Sequence, residues 1–235
     1  MEIEIWVQPI FRVTDSNVRI EFIEVLAREA KGNDKGSAGV VMRHVKQNNL
    51  QSQLDLFIFS ELHKIKVPDS IRICVNVFSE TLAIKGIANK LSDLATKKGV
   101  KPSRIVVELN EDTDIYNDDV IDNIRTFKKK GFKIALDDFG KSNANIDFLL
   151  KCPLDLIKVD KEIINCHSAV SYEAHKDVCK AVVEMIKAMG ADKIIEGVET
   201  CEQLSMVREA GFNKIQGFLL SKPMKLSAFM QGEST

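Results

Sequence analysis

Short runs rich in β-branched residues recur at 4–10, 19–26, 71–77, 104–109, 133–136, 156–159, 193–195 and 214–218, and each reads as a strand. Between them apolar residues fall at helical spacing. Leu82, Ile87, Leu91 and Leu94 share a face over 80–98, and Val120, Ile124 and Phe127 do so over 120–130. Val178, Val182, Met185 and Met189 form a third stripe over 171–189, which reads as core. Gly99, Gly131, Gly190 and Gly211 each stand between a helical stretch and the next strand, where a C-terminal cap is expected. This alternation predicts an α/β protein with a largely parallel sheet. The first two strands depart from it. Only residues 12–18, with Thr-Asp-Ser-Asn, separate them, which is too short for a helical crossover, so an antiparallel hairpin is expected. Eight strands without a linker or low-complexity break predict one closed barrel over residues 1–235.

Composition narrows the choice of chemistry. The 33 Lys+Arg nearly balance 34 Asp+Glu, for a net charge of −1, so no broad nucleic-acid surface and no DNA partner are expected. No apolar run reaches 18 residues, so no membrane segment is predicted, and the acidic, alternating start MEIEIWVQPI is unlike a secretory signal. The five cysteines, at 74, 152, 166, 179 and 201, are odd in number and scattered, with no C-x-x-C pair. They read as small apolar residues of a reduced, cytoplasmic protein. His44, His63, His167 and His175 form no ligand-spaced set and read as surface or helix-capping residues. The run 128–130 of lysines closes a helix, where cations oppose the negative dipole end.

The chemistry lies at the strand ends. Glu24, Asn76, Glu108, Asp137, Asp138, Lys158, Asp160, Glu196 and Gln216 each close or follow a predicted strand. A barrel gathers the C-terminal ends of its parallel strands around one mouth, so these groups are expected to converge. Carboxylates at close range repel each other and cannot all stay ionised without cations. Oxygen donors lacking histidine or cysteine suit hard ions such as Mg²⁺ or Mn²⁺. An aspartate bridging two metals about 3.5–4 Å apart suits phosphoester cleavage. Lys158 would orient the attacking water or offset charge growing on phosphorus. The competing reading is a structural ion-pair network around Lys158. On the first predicted strand, 4–10, alternation puts Trp6 and Gln8 on one face, so Trp6 either lines the mouth or packs. Glu199 either supports the metal site or starts a surface helix.

An ordered set of motifs accompanies these residues. It runs Gln-Pro-Ile at 8–10, Glu-Val-Leu-Ala-Arg at 24–28, Val-Asn-Val at 75–77, Val-Glu-Leu-Asn-Glu at 107–111 and Asp-Asp-Phe-Gly at 137–140. Pro-Leu-Asp-Leu-Ile-Lys-Val-Asp at 153–160, Glu-Gly-Val-Glu-Thr at 196–200, Gln-Gly-Phe at 216–218 and Ser-Lys-Pro at 221–223 complete it. In this set the chain resembles the EAL domain, the bacterial cyclic di-GMP phosphodiesterase, with Glu-Val-Leu as a conservative form of the signature tripeptide. The resemblance implies a modified TIM-type (β/α)8 barrel whose first strand is antiparallel, and two divalent cations, Mg²⁺ or Mn²⁺. It assigns Glu24, Asn76, Glu108 and Asp137 to one metal. Asp137 bridges to the second, where Asp138 and Glu196 contribute. Lys158, Glu196, Asp138 and Gln216 are the implied catalytic set, with Lys158 engaging the attacking water. Gln8, Arg28 and Asp160 are implied to contact substrate, and Glu111 to support a loop. The implied reaction is hydrolysis of cyclic di-GMP to linear pGpG.

The chain also departs from the family pattern. After Asp-Asp-Phe-Gly the family continues Thr-Gly-Tyr-Ser-Ser-Leu, whereas this chain has Lys141, Ser142, Asn143, Ala144, Asn145 and Ile146. Loss of that glycine narrows the backbone, and a weakened support loop predicts reduced activity. The stretch 29–39 likewise replaces a more regular, Trp-containing segment. The alternatives are therefore a non-catalytic EAL module that binds cyclic di-GMP or a protein partner, or hydrolysis of another phosphodiester. The family also implies a homodimer near the altered loop. Motifs from Gln8 to Pro223 leave no room for a sensory domain within these 235 residues.

Overall fold

The computed structural model describes residues 1–30, 38–141, 146–165 and 171–232. Its strands are β1 (Ile3–Val13), β2 (Val18–Glu29), β3 (Arg72–Asn76), β4 (Ile105–Leu109), β5 (Lys133–Phe139), β6 (Leu156–Val159), β7 (Asp192–Ile195), β8 (Lys214–Ile215) and β9 (Met224–Lys225). Its helices are α1 (Ala38–Gln47), α2 (Gln51–Glu61), α3 (Ser79–Leu82), α4 (Ile87–Lys97), α5 (Asp118–Lys129), α6 (Ile146–Lys151), α7 (Tyr172–Ala188), α8 (Cys201–Glu209) and α9 (Leu226–Gln231). β2 to β8 lie side by side in sequence order, each parallel to the next. β1 sits between β8 and β2, antiparallel to both, and closes an eight-stranded barrel; β9 pairs with its outer end. The expected hairpin is present, with Gln8 opposite Glu24 and Ile10 opposite Phe22.

Two apolar layers hold the barrel. Ile10, Phe22, Cys74, Val106, Ala135, Leu156 and Ile194 fill its interior. The outward faces of the strands pack beneath the helices in a larger core that includes Ile23, Ile73, Val107, Leu136 and Ile157. The two sets alternate along each strand, because successive side chains point to opposite faces. Helix ends are secured locally. Asn117 caps α5 by accepting from the Asp119 and Val120 amides. Thr200 and Gln203 form a reciprocal capping box on α8 and fix the exit of the chain from β7.

Several elements differ from the sequence pattern. The stretch 80–98 is two helices, broken where Gly86 takes φ +72°. The pattern assigns no element to 38–61, yet α1 and α2 stand there. Leu54, Leu56, Phe57, Ile58 and Phe59 wrap around α2 rather than forming one stripe. α7 is turned from its predicted face: His175, Cys179, Val183 and Ile186 are buried, while Val178 is 52% exposed. Val182, Met185 and Met189 pack at the edge of that core. His175 thus departs from its expected surface role, and its Nε2 lies 2.5 Å from the Ile163 carbonyl oxygen. His44 and His63 sit in helical segments beside Asn48 and the Ser60 carbonyl. Cys166 and His167 lie outside the described residues. β8 ends at Ile215 because Gly217 presses against Val198: a Cβ there would meet the Val198 oxygen at 2.0 Å. No helix among the described residues is long and apolar enough to cross a membrane.

Candidate metal centre

The polar residues stand one pleat above the interior apolar layer. Two positions after Phe22, Cys74, Val106, Ala135, Leu156 and Ile194 come Glu24, Asn76, Glu108, Asp137, Lys158 and Glu196. Strand periodicity therefore stacks a charged layer directly on a hydrophobic one. β1 runs the other way, so its contribution, Gln8, lies two positions before Ile10.

Lys158 is fully buried at the centre. Its Nζ lies 2.8 Å from Glu196, 2.9 Å from Asp137, 3.1 Å from Glu108 and 3.4 Å from Glu24. Burial opposes the ammonium, but the four carboxylates outweigh it and hold the Lys158 pKa well above its ordinary value. Burial also holds the Glu108 carboxyl well above the usual range, with Asp137, Glu24 and Glu196 adding repulsion against the attraction of Lys158. Glu196 is pushed up to about 8, again mainly by burial. One lysine thus faces four carboxylates, and burial with their mutual repulsion favours the protonated form of Glu108 and Glu196. Buried oxygens Glu108 Oε1 and Asp137 Oδ1 face Lys158 without an aligned hydrogen bond.

The carboxylates fall into two groups, Glu24, Glu108 and Asp137, and Asp138, Asp160 and Glu196, each with one oxygen per residue within 4.8 Å of the others. Each group could hold a cation. Asn76 Nδ2 bridges the first, donating to Glu24 Oε1 at 3.2 Å and to Glu108 Oε2 at 3.3 Å. Consecutive residues Asp137 and Asp138 reach different groups because β5 breaks register between Leu136 and Phe139. Asp138 takes φ +58°, an uncommon conformation for a residue with a side chain. The next turn is tight: a Cβ on Gly140 would lie 2.6 Å from Ile163 Cδ1, and one on Gly197 would lie 2.6 Å from Lys161 Cβ. The 160–163 segment is thereby wedged between the loops carrying Asp138 and Glu196. Asp160 also caps that segment, accepting from the Glu162 amide at 2.8 Å.

The remaining predicted residues surround the carboxylates. Gln216 donates through Nε2 to Glu24 Oε2 at 2.7 Å and Gln8 Oε1 at 3.1 Å, while Gln8 Nε2 donates to the Ser221 carbonyl at 3.0 Å. Arg28 is half-buried, which lowers its pKa, and lines a cavity of about 690 Å³ shared with Asn76, Asp138 and Phe78. A second cavity of about 240 Å³ lies on the other flank, lined by Gln8, Asp160, Glu196, Glu199, Gln216 and Phe218. Glu199 is exposed there, 3.6 Å from the Lys161 ammonium. Trp6 is half-buried, bonds Glu4 and lines neither cavity. Glu111 lies in the turn after β4; residues 142–145, the loop it is expected to support, and 31–37 lie outside the described residues.

One functional candidate escapes sequence reasoning. Asp55 on α2 is fully buried, lines the larger cavity and accepts the Phe78 amide through Oδ2 at 3.1 Å, with the Thr81 hydroxyl also beside its carboxylate. Burial pushes its pKa up to about 7. The available signal was an aspartate inside the apolar run Leu-Asp-Leu-Phe-Ile-Phe.

Comparison with known proteins fits this geometry. The sequence profile of the EAL domain matches residues 1–223. The probable cyclic di-GMP phosphodiesterase PdeB of Escherichia coli K12 is 27% identical over 230 residues, 95% of this chain and 43% of that protein. PdeA of the same organism, also named a probable cyclic di-GMP phosphodiesterase, is 28% identical over 78% of this chain, and the match spans about a quarter (26%) of its length. Among solved structures, the cAMP- and cyclic-di-GMP-bound EAL enzyme Bd1971 superposes with a TM-score of 0.85 at 20% identity, covering 99% of this chain and 65% of that one. The manganese and cyclic-di-GMP complex of Klebsiella pneumoniae BlrP1 superposes at 0.80 with 23% identity, over 96% of this chain and 57% of that one. With a profile match over nearly its whole length and the barrel those structures share, the chain belongs to the EAL domain family.

Proposed function

We propose that the chain hydrolyses one phosphodiester bond of cyclic di-GMP, giving linear pGpG, with two divalent cations, Mg²⁺ or Mn²⁺, at the strand-end carboxylates. The observation that carries this reading is six carboxylates in two groups around a single buried lysine. The donors fit the ions. They are hard oxygens, two of them buried without aligned hydrogen bonds, and raised carboxyl pKa values on Glu108 and Glu196 mean that a cation would displace protons. Glu24, Asn76, Glu108 and Asp137 would hold one cation, with the Asn76 amide turned to present Oδ1. Asp137, Asp138 and Glu196, with Asp160 beside them, would hold the other. When bound, the cations supply positive charge to the phosphate and acidify water.

The chain's own groups do the rest. Lys158 keeps its proton at Nζ and serves as a donor, steadying the water or the charge developing on phosphorus. Gln216 Oε1 is buried without a partner among the described residues and can accept from a water proton. Arg28 offers a charged donor to a phosphate oxygen. The two cavities flank the carboxylate layer, which suits a ligand of two nucleoside halves joined through phosphates. Relatives named as cyclic di-GMP phosphodiesterases support that choice of ligand. Exposed Tyr116, Ile146 and Leu150 support a homodimer contact near α6.

The test is direct. Purified protein is incubated with cyclic di-GMP and Mg²⁺ or Mn²⁺, and product is separated by chromatography. Metal-dependent pGpG is expected. No linear product with either ion at high protein concentration would sink the reading.

A further inference from the structure

The second carboxylate group carries a feature that the first lacks. The turn after β5 folds back on itself: the Lys141 amide donates to the Asp138 carbonyl at 3.1 Å, with Gly140 at φ +92°. This return places the Lys141 ammonium on the Asp138 carboxylate, Nζ to Oδ1 at 2.9 Å. Hydrogen bonding to Asp138 raises the Lys141 pKa, and the nearby charges of Asp160 and Asp137 add to it.

The two lysines of the site differ in one decisive respect. Lys158 is buried and touches both carboxylate groups, so it cannot leave without unfolding its surroundings. The Lys141 side chain is 55% exposed and its partner Asp138 is 41% exposed. An ion pair of that exposure is weak and opens readily. Among the described residues, the carboxylates of Glu24, Glu108 and Asp137 have no close cation but Lys158.

We infer that Lys141 is a tethered competitor for the cation at Asp138, Asp160 and Glu196, and that it sets the divalent-ion concentration at which this position fills. The inference rests on the metal reading above. An ammonium on Asp138 Oδ1 takes up the oxygen a metal would need, and like charges a few ångströms apart repel. Filling this position therefore requires Lys141 to swing into solvent, whereas the first position makes no such demand. The consequence is a pair of unequal sites, with the second filling only at higher ion concentration.

Mn²⁺ binding tests this without any turnover. Free Mn²⁺ is counted by electron paramagnetic resonance while the wild type, Lys141→Gln and Lys141→Arg are titrated with Mn²⁺ alone. The wild type should bind one ion tightly and a second more weakly. Lys141→Gln should tighten the weaker site about 5- to 20-fold and leave the tighter one within about twofold, while Lys141→Arg stays near wild type. A weaker site that changes less than about twofold in Lys141→Gln would overturn the inference, as would equal tightening of both sites. Absence of Mn²⁺ binding in all three proteins would refute the metal reading itself and this inference with it.

Discussion

Replacing Lys158 with methionine separates the electrostatic role of this residue from its packing, because the two side chains are similar in length. Among the described residues, Lys158 is the only close cation for Glu24, Glu108, Asp137 and Glu196, at 2.8 to 3.4 Å. Removing one partner of a buried ion pair costs about 3–5 kcal/mol, since the remaining charges stay buried. Proton uptake by Glu108 and Glu196 offsets part of that, their pKa values being raised already. For a domain of this size each kcal/mol moves the midpoint by about 2–4 °C, so Lys158→Met should melt about 6–20 °C below wild type in chelator at pH 7.5. Saturating Mn²⁺ should close most of that gap, because the ions supply the missing charge to the same oxygens. Thermal unfolding followed by circular dichroism, with chelator and with Mn²⁺, reads both quantities. The variant should also keep nucleotide binding and lose most pGpG formation. A midpoint within 2 °C of wild type in chelator would refute the electrostatic account of this layer. A gap that Mn²⁺ leaves unchanged would show that these carboxylates are not where the cation binds.

Three other substitutions probe the surroundings. Gly217→Ala forces a Cβ to 2.0 Å from the Val198 oxygen, and should cost about 3 kcal/mol in urea unfolding and displace Gln216 enough to abolish pGpG formation; full activity would contradict the close packing. Asp55 has a folded pKa of about 7, raised above its ordinary 3.8, so its contribution is fully present below about pH 4 and is lost as pH rises through 7. Asp55→Asn removes that loss and should be more stable than wild type at pH 8, by about 2–4 kcal/mol, with a smaller gap at pH 5; urea melts at the two pH values check the sign. Arg28→Ala should raise KM for cyclic di-GMP about 10- to 100-fold with little change in kcat, as expected for loss of a charged hydrogen bond to phosphate; an unchanged KM would remove Arg28 from the substrate contacts.

Much of the site was legible because two periodicities coincide. A strand whose interior residue is Val106 must present Glu108 on the same face, and the same step leads from Cys74 to Asn76 and from Leu156 to Lys158. The reversed β1 was legible from loop length alone. What could not be read depended on contacts between distant segments. Asp137 and Asp138 would point to opposite faces in a regular strand. Only the break in β5 and the positive φ of Asp138 bring both to the mouth. Asp55 acquires its role from the Phe78 amide, 23 positions away, and a helix pattern carries no record of that partner. His175 was misplaced because α7 has two adjacent apolar stripes, and packing against Ile163 selects between them.

The reversal of β1 also shapes the charge of the mouth. In an all-parallel barrel the first strand would end here and offer the residue two positions after its interior one. That residue would be Arg12, which instead pairs with Glu21 at the other end of the barrel. Running the other way, β1 brings Gln8, a neutral amide that both donates and accepts. With Gln216 beside it, the ring has an uncharged arc at β8 and β1 facing the carboxylates of β2, β4, β5 and β7. Cations are drawn to the carboxylate side, and the amide arc leaves a place where a nucleotide's polar edge can bond without adding charge. A charged residue at position 8 would erase that division. Gln8→Glu should therefore weaken cyclic di-GMP binding while leaving Mn²⁺ affinity unchanged or slightly tighter, as calorimetry of the two ligands would show, and a larger change for Mn²⁺ than for cyclic di-GMP would mean that the arc belongs to the metal site.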